Sequence, residues 1–166
     1  VYTEWEKPES LVKLCSGMDV VIHTAGMNAR DCESDPVSAH AFNGKVTGEL
    51  AKAAVSVGVK QFIYCSTVHV YSSPLTGLIS EEHPTSNNHP YATSHLAGEK
   101  ALFGSIHGSD IKAQVLRLSN VYGVPTDKEV KCWELLVNDL CKQISEKHEL
   151  RLYTSGTQFR DFISME

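Results

Sequence analysis

The sequence predicts an α/β domain built on a doubly wound parallel sheet. Three observations carry this prediction. Short, nearly continuous apolar runs recur at 19–25, 61–66 and 113–118, as in strands covered on both faces. The stretches between them place apolar residues on one helical stripe. The residues that end or follow each run, Thr24-Ala25-Gly26, Ser66-Thr67 and Ser119-Asn120, are small or polar. Ligands of such sheets bind beyond the carboxyl ends of the strands, where small residues allow close approach.

Asp19-Val-Val-Ile-His-Thr-Ala25 is the first strand, stopped by Gly26. Val46, Leu50, Ala53, Ala54 and Val57 fall on one face of a helix, and Gly58 suits its C-terminal cap. Gln61-Phe-Ile-Tyr-Cys-Ser66 is the second strand. The stretch 72–89 carries Pro74, Pro84 and many Ser and Asn residues, so it reads as a loop. Tyr91–Ile106 is the next helix, with Pro90 suited to its first turn and Gly104 and Gly108 expected to close it. Ala113–Leu118 is the third strand. Trp133, Leu136, Val137, Leu140 and Ile144 form another helical stripe, and the alternating Leu150–Thr154 is the weakest strand candidate. Strands alternating with helices imply βαβ units with right-handed crossovers.

Composition excludes several function classes. With 42% apolar and 21% charged residues among 166, the chain is ordinary globular protein, large enough for one core. Net charge is -5 and Lys and Arg are scattered, so nucleic acid is not an expected partner. No apolar run approaches the roughly 20 residues of a membrane span, and no signal-peptide pattern is present. Five widely spaced cysteines without C-x-x-C read as reduced thiols in a cytoplasmic protein. The eight histidines lack metal-ligand spacing, so no metal is expected. The chain opens at Val1 near the end of an apparent strand and stops at Glu166 just after an apolar run, so both ends read as cut.

Thr67 follows a buried strand and Tyr91 begins the next helix, so a parallel sheet brings both toward one crevice. Hydride transfer to or from an alcohol needs a group that moves the hydroxyl proton. A phenol does this when its pKa, near 10 unperturbed, is lowered, and a nearby cation lowers it. A threonine hydroxyl can hold the same oxygen.

Six ordered segments resemble one family. They are Asp19-Val-Val-Ile-His-Thr-Ala-Gly26; Asn43-x-x-x-Thr47-x-x-Leu50, with Gly44 and Val46 departing from the usual Val and Gly; and Phe62-Ile-Tyr-Cys-Ser-Thr-Val-His-Val-Tyr71, followed by Ser72 in place of Gly. Then come Tyr91-x-x-Ser-His95-x-x-x-Glu99; Arg117-Leu-Ser-Asn-Val-Tyr-Gly123; and Arg160-Asp-Phe-Ile163. The chain resembles the extended short-chain dehydrogenases/reductases, the NAD-dependent nucleotide-sugar epimerases and dehydratases. The resemblance implies a Rossmann-like sheet with helices on both faces, N-terminally truncated. It makes 1–166 a single partial NAD(P)-binding domain in which 124–166 begins the substrate-binding part.

The resemblance also implies roles. Thr67, Tyr91 and His95 are the catalytic positions. Thr24, Ala25, Gly26, Ser66, Leu118 and Ser119, together with Tyr91 and His95, line the cofactor, NAD or NADP. Thr67, Asn120 and Arg160 meet a nucleotide-diphosphate sugar, with the Arg160 guanidinium suited to its diphosphate. The implied reaction is C4 epimerisation through a transient keto intermediate. A nucleotide-sugar reductase or dehydrogenase, or a catalytically silent cofactor-binding member, are the alternatives. Family members dimerise through the helices that match 43–57 and 91–106 here, which implies a homodimer.

Three departures stand out. The fingerprint G-x-x-G-x-x-G would lie before Val1, on the order of 50–60 residues of βαβ unit and next strand. Val68-His69 occupies the place of the Asp-Glu that dehydratases use for elimination. His95 occupies the place of the motif lysine. At i+4 it shares a helix face with Tyr91. Protonated, it would imitate the lysine; neutral, it would hold a ribose hydroxyl and activate Tyr91 less. Lys100, nine residues from Tyr91, faces the opposite side of the helix.

Overall fold

A computed structural model describes residues 3–72, 74–127 and 129–165; Val1 and Glu166, on which the reading of cut ends rests, lie outside them. The chain divides into two compact units, 1–117 and 118–166.

In the first unit, α1 (Pro8–Cys15) precedes β1 (Val20–His23). Two short helices follow, α2 (Ala29–Ser34), capped by the Asn28 side chain, and α3 (Pro36–Ala39), capped by Asp35. A π-helical turn, His40–Val46, runs directly into α4 (Thr47–Ser56). β2 (Gln61–Thr67), a 3-10 turn (Val68–Val70), α5 (Pro90–Ile106) and β3 (Lys112–Leu118) complete it. The sheet order is β1-β2-β3, with β1 parallel to β2 in the register Val21↔Phe62 and His23↔Tyr64. The expected parallel α/β architecture is what the chain adopts.

The register assigns the faces. Phe62, Tyr64 and Ser66 are buried toward the helices, with Val21, Ala113 and Val115 packed into the same core as Leu11, Leu50, Ala54 and Leu102. Val20 and Ile22, on the other face of β1, are exposed, as is Leu116, which shares its face of β3 with the Gln114 that bonds Gln61 across the sheet. Within this unit the helices cover one face of the sheet.

The helix ends follow the sequence. Gly58 adopts φ +78 just after α4, a conformation that costs glycine nothing. Pro90 opens α5 where its missing N–H is harmless, and Gly108, at φ +78, follows its end. Gly104 lies inside α5 rather than closing it: Leu102 in the core and Ile106 packed against it hold this turn, and one glycine costs about 1 kcal/mol there.

Gly98 sets how closely α5 approaches its surroundings. A Cβ at Gly98 would run into the Asn43 carbonyl oxygen and stand 2.7 Å from the Tyr64 hydroxyl. Gly98→Ala is therefore expected to destabilise the protein by about 1–3 kcal/mol, the usual cost of overpacking, read as a lower midpoint in urea unfolding.

In the second unit, β4 (Asn120–Tyr122) pairs in parallel with β5 (Phe162–Ser164), and a 3-10 turn (Lys131–Glu134) leads into α6 (Leu136–Lys147). The expected strand at Leu150–Thr154 is absent. His148 ends α6 in a left-handed conformation, and the Gln143 side chain takes up the Arg151 backbone N–H. Leu150, Leu152 and Tyr153 are exposed, so the alternation has no sheet to pair with. The strand pairing with β4 is instead Phe162–Ser164, which overlaps the Arg160-Asp-Phe-Ile163 segment.

Candidate active site

Thr67 ends β2 and caps the 3-10 turn: the His69 N–H donates to Thr67 Oγ1 at 3.1 Å. That bond leaves the threonine proton free to point at the Tyr91 phenol oxygen, with which Thr67 is hydrogen-bonded. Tyr91 is half-buried at the start of α5. Burial pushes its phenol above the ordinary value, and the Thr67 hydrogen bond pulls the other way. The phenol is thus protonated at neutral pH, ready to donate.

His95 lies one turn on, its ring 4.5 Å from that of Tyr91 and edge-on to it. It is 6% exposed, and desolvation lowers its pKa to about 4, with Glu99 opposing weakly from the next turn. Its Nδ1 is 3.0 Å from the Tyr64 hydroxyl. Of the two protonation states the sequence leaves open, the structure selects the neutral one. The lysine position therefore holds an uncharged hydrogen-bonding ring, and no cation at this position lowers the Tyr91 pKa.

The turn after β1 is anchored to the same place. Asn43, in the π-helical turn, accepts the Met27 N–H through Oδ1 at 2.8 Å and donates through Nδ2 to Ser94 Oγ at 3.0 Å. Ser94 in turn donates to the Tyr91 carbonyl. Gly26 is exposed between them: a Cβ there would sit 3.4 Å from Asn43 Oδ1 and 3.7 Å from His95 Cε1. Thr24 is exposed and Ala25 half-buried beside it. Gly26, Thr67, Tyr91 and His95 thus come together at the carboxyl end of the sheet.

Ser66 has a different partner: its hydroxyl donates to Glu99 Oε1 at 2.6 Å. Glu99 also takes the Arg117 guanidinium through both oxygens, at 3.1 and 2.7 Å, and Arg117 donates to the Tyr71 hydroxyl at 2.8 Å. This partly buried pair fastens α5 to β3. The motif glutamate and arginine are therefore ties that position α5.

In the second unit, Asn120 donates through Nδ2 to the Asp161 carbonyl at 2.9 Å, just before β5, and Arg160 is the residue preceding Asp161. Arg160 is exposed and forms no ion pair among the described residues. The Ser119 hydroxyl is buried without a hydrogen-bond partner among the described residues. Such an orphan is what a ligand's polar group satisfies. It stands at a position expected to flank the cofactor, so the residues present fit one. Among the described residues no cluster of His, Cys, Asp and Glu could hold a metal ion, and no helix is long and apolar enough to cross a membrane.

Sequence reasoning missed two contributors. Asn43 is visible only as part of a motif, and its anchoring role emerges from the π-helical turn. Tyr64 reads as a core aromatic, and nothing in its spacing signals the bond to His95.

Comparison with known proteins agrees with this geometry. The model of the NAD dependent epimerase/dehydratase family matches residues 1–166. The uncharacterized UDP-glucose epimerase YtcB of Bacillus subtilis (strain 168) is 28% identical over 156 residues, which is 92% of this chain and 47% of that protein. A dTDP-glucose 4,6-dehydratase of Streptomyces griseus is 30% identical over 159 residues, 93% of this chain and 46% of its own. The UDP-glucuronic acid 4-epimerase of Bacillus cereus, solved with UDP-glucuronic acid and NAD, superposes with a TM-score of 0.79 at 29% identity over 93% of this chain and 48% of that one. The chain spans about half the length of the curated relatives it matches. With the family pattern matched from end to end and the fold shared with its solved members, the chain belongs to the NAD-dependent epimerase/dehydratase family.

Proposed function

We propose that the full protein is an NAD-dependent nucleotide-sugar epimerase, similar to UDP-glucose 4-epimerases, that inverts C4 through a transient keto sugar. The observation that carries this is the Thr67–Tyr91 hydrogen bond, set beside the open Gly26 at the carboxyl end of the sheet. Bound NAD would supply the hydride acceptor and donor. Thr24, Ala25, Gly26 and His95 are the residues of the first unit that would hold it. Tyr91 Oη, as the phenolate, accepts the C4 hydroxyl proton as the alcohol is oxidised, and the phenol so formed gives that proton back to the keto oxygen when it is reduced. Thr67 Oγ1 holds that oxygen in place. Burial favours the neutral phenol, so the first step starts from the deprotonated fraction of Tyr91. Asn120 and Arg160 serve the nucleotide-diphosphate end.

Val68 and His69 supply no carboxylates where a dehydratase uses Asp and Glu, which favours epimerisation over elimination although dehydratases are among the relatives. A cytoplasmic homodimer through the outer faces of 43–57 and 91–106 belongs to the same reading; Phe103 on α5 is half exposed and free cysteines are present. The neutral His95 favours a second reading, a cofactor-binding member that turns over slowly or not at all. Incubating full-length protein with UDP-glucose and following the anomeric protons by NMR separates the two. The C4 epimer is expected. Bound NAD with no epimer formed from UDP-hexoses would overturn the first reading and support the second.

A further inference from the structure

We infer that Tyr64 is a positioning residue: its buried hydroxyl holds His95 by Nδ1 and so makes Nε2–H the hydrogen-bond donor that His95 offers a ligand. The inference rests on the proposed role of the Tyr91 site. Tyr64 is 1% exposed in the middle of β2. Its ring stacks between the imidazoles of His23 and His95, with centroids 5.4 and 6.0 Å away and both planes inclined by 22°. Phenylalanine would fill that slot equally well. A hydroxyl there must be desolvated, a cost recovered only through a partner. The partner at 3.0 Å is His95 Nδ1. Space for the hydroxyl exists because Gly98 has no side chain: a Cβ there would lie 2.7 Å from it.

The direction of the bond follows from the neighbours. Burial keeps the Tyr64 phenol protonated, with one proton to give. The Thr47 hydroxyl, which is also hydrogen-bonded to Tyr64, gives its own proton to the Asn43 carbonyl at 2.7 Å, and its oxygen is already paired with His23 Nε2 at 3.0 Å. The unshared pair on His95 Nδ1 is the better acceptor. A neutral imidazole that accepts at Nδ1 carries its proton on Nε2, and Nε2 has no partner among the described residues. The ring edge at Cε1 faces Gly26. A ligand oxygen with a free lone pair, such as a ribose hydroxyl, is the group this donor fits. The clamp restores the direction of the lysine's hydrogen bond and omits its charge.

The test uses full-length protein labelled with 15N-histidine, with the His95 signals assigned by their loss in His95→Gln. Wild type is expected to show a single Nε2–H tautomer, and Tyr64→Phe a mixture. Tyr64→Phe should also lower kcat roughly 3- to 10-fold, the size of one lost hydrogen bond, with KM for UDP-glucose unchanged. In a His95→Ala background it should add nothing. An unchanged tautomer in Tyr64→Phe, or an equal loss of kcat in both backgrounds, overturns the inference. If no nucleotide sugar is turned over at all, the proposed function fails, and the NMR spectra alone still decide the clamp.

Discussion

Tyr91→Phe is expected to lower kcat by about 10²–10⁴-fold, the range for removing a general acid–base group. The variant keeps the ring and its edge-on contact with His95 and loses only the hydroxyl that Thr67 holds. Folding should therefore change by no more than about 1 kcal/mol, the worth of one hydrogen bond, and KM for UDP-glucose should stay near wild type. Steady-state kinetics alongside urea unfolding separates the two effects. Turnover left intact would remove Tyr91 from the chemistry.

A loss of stability in mild acid is the second large effect. His23 and His95 are both held neutral by burial, each with its pKa lowered to about 4; His95 lowers that of His23 further, and Glu99 opposes the shift at His95. In the unfolded chain both return to about 6.5. Between those values the unfolded state binds more protons than the folded one, so stability rises with pH across that window. The contribution is fully present above about pH 6.5 and is lost as pH falls toward 4. Between pH 8 and pH 5 the loss is about 2 kcal/mol per histidine by this linkage, a large part of the 5–15 kcal/mol typical of a folded domain. Urea midpoints measured at both pH values check it. His23→Gln should flatten the dependence by about half, and an unchanged slope in that variant would contradict the burial argument.

Much of the fold was legible because its signals are local. The apolar runs that became β1, β2 and β3 are continuous, and Pro90 marks the start of α5 unambiguously. α1 escaped notice because eight residues offer only two turns of periodicity, with Leu11 and Cys15 as its buried positions. Leu150–Thr154 misled because alternation describes a strand's faces and says nothing about whether a partner strand exists. In the site, Thr67 and Tyr91 could be placed from strand and helix ends alone. The state of His95 could not, since it depends on burial by residues distant in sequence and on a hydroxyl from β2.

The claim at the centre is that Tyr91 works next to a neutral ring where its relatives' motif supplies a cation. The pH dependence of kcat in wild type and His95→Lys tests it most directly. A lysine at 95 places positive charge beside the phenol, which burial now holds above its ordinary value, and a nearby cation typically moves such a group down by 1–3 units. The limb of the profile that rises with pH should therefore move to lower pH in His95→Lys, with higher activity at neutral pH. Superimposable profiles would contradict the account.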